Sequence, residues 1–178
     1  MNPLDIINKY TAGNVKLREI LIGHSEAVRD KALEIAERKH LDIDIAFVQE
    51  AAMLHDIGVE RVDAPGISCY GDEPYIRHGV CGREILEVEG LPHHALVCER
   101  HTGSGITKEQ IVAEHLPLPH RDMLPLSLEE KLICYADKFF SKSRDLRTEK
   151  SVEKIISQMQ QFGYGSLERF VQLHVIFS

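Results

Sequence analysis

Apolar residues recur along most of this chain at steps of three, four or seven, which places them on one face of an α-helix. The clearest stripe predicts an amphipathic helix over 14–39, with a division at Gly23. The residues on this stripe are Leu17, Leu21, His24, Val28 and Ile35. Period-two alternation, which would indicate β-strands, is largely absent. The sequence therefore predicts an all-α fold.

Capping residues and glycines predict where the other helices begin and end. Thr107 with Gln110, and Ser127 with Glu130, have the spacing of a capping box. The predicted starts are Asp44, Pro74, Pro92, Thr107, Ser127, Thr148 and Ser166. The predicted ends of the first six lie before Gly58, before Gly90, at Gly103, before Pro117, near Ser143 and at Gly163. Two long loops remain, over 59–73 and 115–126.

Composition narrows the class of protein. A chain of 178 residues with 43% hydrophobic and 28% charged residues fits one globular domain over 1–178. The net charge of −7 and the lack of a basic stripe argue against binding to a nucleic acid polymer or an anionic membrane. No apolar run is long enough to span a bilayer, and the segment MNPLDIINKY is unlike a signal peptide, so we expect a cytoplasmic protein.

The four cysteines are scattered and form no C-x-x-C pair. They are Cys69, Cys81, Cys98 and Cys134. In a reducing compartment, this arrangement favours small buried hydrophobic residues over disulfides or zinc ligands.

Histidine and aspartate residues on apolar helices are the candidate chemical groups. His55 and Asp56 end an apolar helix in the string AAMLHDIG, where neighbouring side chains can converge on one ion. His24 lies on an apolar stripe, and Asp137 lies beside the buried face of KLICYADKFF. A core histidine with one hydrogen bond and a salt bridge from Asp137 to Lys138 are the ordinary alternatives. Three polar groups on three apolar helices favour convergence on a metal ion.

In this order, the residues resemble the HD superfamily of metal-dependent phosphohydrolases. The resemblance rests on His24 in GHSEAVRDKALEIA, on the HDIG form of the His55-Asp56 signature, and on Asp137 in ICYADKFF. It covers roughly 14–143, with C-terminal helices over 148–177 expected to pack on this core. The resemblance implies a helical bundle that holds the metal between its helices.

His78 and His101 are similar to the additional ligands of the two-metal branch, which has the order H…HD…H…H…D. The resemblance then implies one or two divalent ions held by His24, His55, Asp56, His78, His101 and Asp137, with Asp56 shared between two ions. His/Asp ligands do not distinguish Fe, Mn, Zn, Co, Ni and Mg. The ordinary alternative for His78 and His101 is a histidine at a helix end or on the surface.

The function that this resemblance implies is hydrolysis of a small phosphorylated substrate, with a nucleotide as the leading expectation, by a metal-activated water molecule. Asp56 would share in catalysis, Lys138 would contact phosphate and Glu60 would shuttle a proton. Two alternatives stay open: a di-iron oxygenase with a similar ligand set, and a non-catalytic HD scaffold that senses a ligand. The apolar C-terminal segment SLERFVQLHVIF could pack on the bundle or form a homodimer.

Overall fold

A computed structural model describes residues 1–142, 145–162 and 165–178. The described chain is mainly helical, which confirms the predicted all-α fold. In chain order, its α-helices are α1 (Pro3–Tyr10), α2 (Val15–Arg38), α3 (Ile45–Leu54), α4 (His78–Val88), α5 (Pro92–Arg100), α6 (Lys108–Ala113), α7 (Leu128–Asp137), α8 (Val152–Met159) and α9 (Ser166–Phe177). The helix ends predicted at Ser143 and Gly163 lie outside the described residues. No described helix is both long and apolar enough to cross a membrane.

Side-chain caps set several helix starts at the predicted residues. Asp44 accepts a hydrogen bond from the Phe47 amide at the start of α3. Thr107 and Ser127 do the same for α6 and α7. The prediction that Thr148 begins a helix is wrong, because Ser151 caps α8. Each cap satisfies an amide that has no partner inside its own helix.

Three further boundaries differ from the predictions. Helix α2 continues through Gly23 without a division, because one glycine costs only about 1 kcal/mol in a helix and buried residues on either side hold it together. Helix α3 ends at Leu54, and a 3₁₀-helix over Ile57–Arg61 contains Gly58. Helix α4 begins at His78 rather than Pro74, after a 3₁₀-turn over Tyr75–Arg77.

The predicted loop over 59–73 contains a small β-sheet. Strand β1 (Val62–Ala64) lies between β2 (Cys69–Tyr70), to which it is antiparallel, and β3 (Glu73–Pro74), to which it is parallel. Strands of two or three residues are too short to show period-two alternation, so the sequence gives no sign of them.

Two large hydrophobic clusters form the core, and they meet along α2, α3 and α5. One cluster joins the second half of α2 to α3, α7, α8 and α9. The other joins α1, the start of α2, the end of α3, α4 and α5. Along α2, Leu21 belongs to the second cluster and Val28 to the first, and His24 lies between them. All four cysteines are buried and free, as predicted.

Candidate metal centre

Four buried side chains meet at this junction: His24 of α2, His55 and Asp56 directly after α3, and Asp137 at the end of α7. The ligand atoms of His24, His55, Asp56 and Asp137 all lie within 4.8 Å of one another. His24 Nε2 is 3.0 Å from Asp137 Oδ1 and 3.2 Å from Asp56 Oδ2. His55 Nε2 is 3.1 Å from Asp56 Oδ2 and 3.4 Å from Asp137 Oδ1. We call this set the first half of the centre.

Asp56 also faces a second set of ligand atoms, which we call the second half. Its other oxygen, Oδ1, is 3.3 Å from His101 Nε2 and 3.6 Å from His78 Nε2. The three ligand atoms again lie within 4.8 Å of one another. The Asp56 side chain is fully buried, and each of its oxygens is directed to a different pair of imidazoles. This is the arrangement expected of a carboxylate that bridges two cations.

Backbone carbonyl groups orient three of the four imidazoles. The Nδ1 atoms of His55, His78 and His101 lie 2.7, 2.8 and 2.7 Å from the carbonyl oxygens of the residues three positions earlier. A carbonyl can only accept, so each Nδ1 carries the hydrogen and donates it. In a neutral ring, Nε2 then offers its lone pair to the centre. Metal-binding histidines are held in the same way.

The second half places two such lone pairs face to face. His78 Nε2 and His101 Nε2 are 3.1 Å apart, and both rings are buried. Two lone pairs at this distance repel each other unless a proton or a cation lies between them. Two nitrogens that bind one metal ion at about 2.1 Å are themselves roughly 3 Å apart. In the first half, His55 Nε2 is a buried atom without a well-directed hydrogen bond to a described residue. Both observations fit metal binding.

Two glycines let the backbone bring the halves together. A Cβ atom on Gly58 would lie 2.1 Å from the His78 carbonyl oxygen and 2.2 Å from the Gly82 amide nitrogen. A Cβ atom on Gly79 would lie 2.7 Å from the Cys98 carbonyl oxygen, which accepts the hydrogen bond from His101. The glycine of the HDIG signature therefore allows α4 to pack directly against the chain after Asp56.

The two halves differ in charge. Burial would lower the pKa of His55, but the carboxylates of Asp56 and Asp137 outweigh it and raise that pKa to about 9. Burial, together with the neighbouring His101, lowers the pKa of His78 to about 3. Burial also lowers the pKa of His101. Without metal at neutral pH, the first half therefore holds an imidazolium, and the second half holds neutral rings.

Two lysines complete the centre, and the sequence reasoning missed one of them. Lys142 Nζ lies 2.7 Å from Asp56 Oδ2. Lys138, the predicted phosphate contact, is buried, and its ammonium donates to Asp137 Oδ2 at 2.6 Å and to the His101 carbonyl oxygen at 3.1 Å. The salt bridge that was the ordinary alternative for Asp137 is thus present alongside the histidine cluster. Lys142 lies beyond the end of α7, so no helical periodicity marks it as a neighbour of Asp56.

A pocket of about 680 Å³ opens onto the centre. Its lining includes His78, His101, Asp137, Lys138 and Lys142. Glu60, the predicted proton shuttle, is absent from the described lining and lies 3.3 Å from Arg61, with which it pairs. Its role as a proton shuttle stays a prediction.

Comparisons with known proteins agree with this geometry. The model of the HD domain family matches residues 21–141. An uncharacterised protein of Methanocaldococcus jannaschii, MJ0778, is 32% identical over 160 residues, which are 88% of this chain and 86% of the relative. No solved structure gives a significant match.

Two further relatives are named tRNA (cytidine(56)-2′-O)-methyltransferases. The protein of Thermoplasma volcanium is 31% identical over 98% of this chain and 45% of its own length. The protein of Picrophilus torridus is 31% identical over 76% of this chain and 36% of its own length. The chain therefore spans less than half of each methyltransferase. The family match contains both aspartates and all four histidines of the buried centre, and this chain belongs to the HD domain family.

Proposed function

We propose that this chain is a metal-dependent phosphohydrolase that cleaves a small phosphorylated compound, with nucleotides as the leading substrate class. The observation that carries the proposal is the position of Asp56, whose two oxygens face two separate pairs of imidazoles. His24, His55 and Asp137 would hold one divalent ion, and His78 and His101 would hold the other. When bound, such ions supply an activated water molecule and offset charge on phosphoryl oxygens.

The surrounding residues hold these ligands before a substrate arrives. The three Nδ1–H donations to backbone carbonyls fix both the tautomer and the direction of the rings. Lys138 links the halves, because it donates to Asp137 of the first and to the backbone of His101 in the second. An ammonium group has three donors, so one remains for a phosphate oxygen in the pocket that Lys138 lines.

The methyltransferase names do not extend to this chain. They belong to proteins of which it covers less than half, and the buried ligands described above suit metal binding. The same ligand set would also serve a di-iron oxygenase, so the decisive assay must separate hydrolysis from oxygen chemistry.

The test is phosphate release by protein loaded anaerobically with Mn²⁺ or Fe²⁺, measured with a panel of nucleoside mono-, di- and triphosphates. We expect release that depends on metal and is unchanged by O₂. Asp56→Asn should abolish it, whereas Asp63→Asn, at an exposed aspartate of β1, should leave it intact. Metal-loaded protein that releases phosphate from none of these compounds, or only when O₂ is present, would contradict the proposal.

A further inference from the structure

The pocket beside the metal centre is basic, although the chain as a whole carries a net charge of −7. Three lysines line it, namely Lys138, Lys142 and Lys150. Among the described lining residues, Asp137 is the only carboxylate, and Lys138 already pairs with it. Lys142 pairs with Asp56 of the metal centre, and Lys150 has no ion pair with a described carboxylate, so the lining favours an anionic occupant.

Lys142 is paired with a group that metal ions would also bind. Its ammonium is 2.7 Å from Asp56 Oδ2 and 6.0 Å from the centre of the Tyr75 ring. Divalent ions at Asp56 would compete with Lys142 for the carboxylate and repel it. The ring of Tyr75 also lines the pocket, and the displaced Lys142 side chain could pack against it. Metal loading should therefore direct the Lys142 ammonium into the pocket.

Lys150 reaches the same pocket from the segment before α8. Its ammonium donates to the Gln158 side-chain oxygen at 3.3 Å, a neutral partner. Its backbone amide donates to the Phe139 carbonyl oxygen at 2.8 Å, which fixes the segment against the end of α7. Burial lowers the pKa of Lys150; Asp137 opposes this effect, and the charges of Lys138 and Lys142 add to it. A second anion beside Lys150 would relieve this repulsion.

Lys142, Lys150 and Gln158 all lie beyond residues 21–141, which match the family model. This wall of the pocket is thus supplied by the chain's own C-terminal segment, whereas the candidate metal ligands lie inside the family match.

We propose that Lys142 and Lys150 form a second anion subsite, so that the preferred substrates carry two or more linked phosphate groups. This inference rests on the proposed phosphohydrolase function. One phosphate would lie at the metal centre, and the next would lie between the two ammonium groups. A phosphomonoester would fill only the first position.

Binding of pyrophosphate and of inorganic phosphate to the Mn²⁺-loaded chain over residues 1–178 tests this subsite by calorimetry. The variant is Lys150→Gln, which removes the charge farther from the metal centre. The matched control is Lys154→Gln, an exposed lysine of α8 that does not line the pocket. Manganese content and thermal unfolding are measured for each protein, and manganese again after each titration, because pyrophosphate can extract metal.

We expect Lys150→Gln to weaken pyrophosphate binding about tenfold and to change orthophosphate binding less than about twofold. Lys154→Gln should change neither. If Lys150→Gln retains metal and folds normally yet binds pyrophosphate as the unaltered protein does, or weakens both ligands equally, the subsite is overturned. If the unaltered loaded protein binds neither ligand and hydrolyses no nucleotide, the proposed function itself fails, which is a separate outcome.

Discussion

The two halves of the metal centre share Asp56 but are prepared for a cation in different ways. The first half surrounds its site with the charges of Asp56 and Asp137, and these carboxylates keep a proton on His55. The second half has two neutral imidazoles whose lone pairs face each other at 3.1 Å. A metal ion that binds the first half must displace the proton of His55, whereas an ion that binds the second half displaces no proton. A single series of His and Asp ligands along the chain can therefore form two chemically distinct sites.

Replacement of Asp56, the ligand that both halves share, should have the largest effect. Asp56→Asn should abolish binding of both ions and lower hydrolysis on the order of a thousandfold, because the first half loses one of its two carboxylates and the second half loses the one that it has. Elemental analysis of metal content and the phosphate-release assay check this. Retention of two ions by a folded Asp56→Asn protein would show that the halves are independent.

Single histidine variants should separate the halves. His55→Ala should lose the first ion and His78→Ala the second, each with about a hundredfold loss of activity, because both ions act on one phosphate. Metal titrations should then show one site in place of two. The exposed His120→Ala is the control and should keep both sites. Loss of both ions in either variant would mean that the sites fill only together.

The pH dependence of metal binding should distinguish the halves further. The raised pKa of His55 means that the metal-free ring is charged below about pH 9, so metal must displace its proton. Affinity of the first half should rise about tenfold per pH unit between pH 7 and 8.5. The lowered pKa values of His78 and His101 predict no such rise in the second half.

Calorimetry in two buffers of different ionisation enthalpy would count the protons released. His78→Ala protein should release one proton per ion near pH 7, and His55→Ala protein none. Equal proton release from both variants would remove the electrostatic distinction between the halves.

A smaller effect should follow from loosening the contact between the halves. Gly58→Ala forces a Cβ atom against the His78 carbonyl and the Gly82 amide, both backbone groups that cannot rotate away. We expect a loss of about 2 kcal/mol in the free energy of unfolding and weaker binding of the second ion. Gly13→Ala, where a Cβ atom would meet nothing within 4 Å, is the control in chemical denaturation. Equal stability of the two variants would contradict this account.

The sequence predicted much of this arrangement, because apolar periodicity and caps are local signals. The stripe that contains His24 and the caps at Asp44 and Ser127 could all be identified from neighbouring residues. Four candidate ligands, His24, His55, Asp56 and Asp137, followed from polar residues on apolar helices, and His78 and His101 followed from the resemblance to a known family. The structure brings all six together.

The parts that were not predicted depend on contacts between distant segments. No pattern in the residues around Lys142 indicates that it pairs with Asp56, which lies 86 residues earlier. The division at Gly23 was wrong because buried contacts on both sides hold α2 together. Glu60 follows Asp56 by four residues, but it lies within the 3₁₀-helix over Ile57–Arg61 and not on a continued α-helix. Its carboxylate pairs with Arg61.

Anomalous diffraction from crystals grown with Mn²⁺ would show whether two ions bind beside Asp56. We expect two anomalous peaks per chain, one on each side of the Asp56 carboxylate. One peak should lie beside His24, His55 and Asp137, and the other beside His78 and His101. A chain saturated with Mn²⁺ that shows no peak beside Asp56, or peaks only at surface residues, would contradict this expectation.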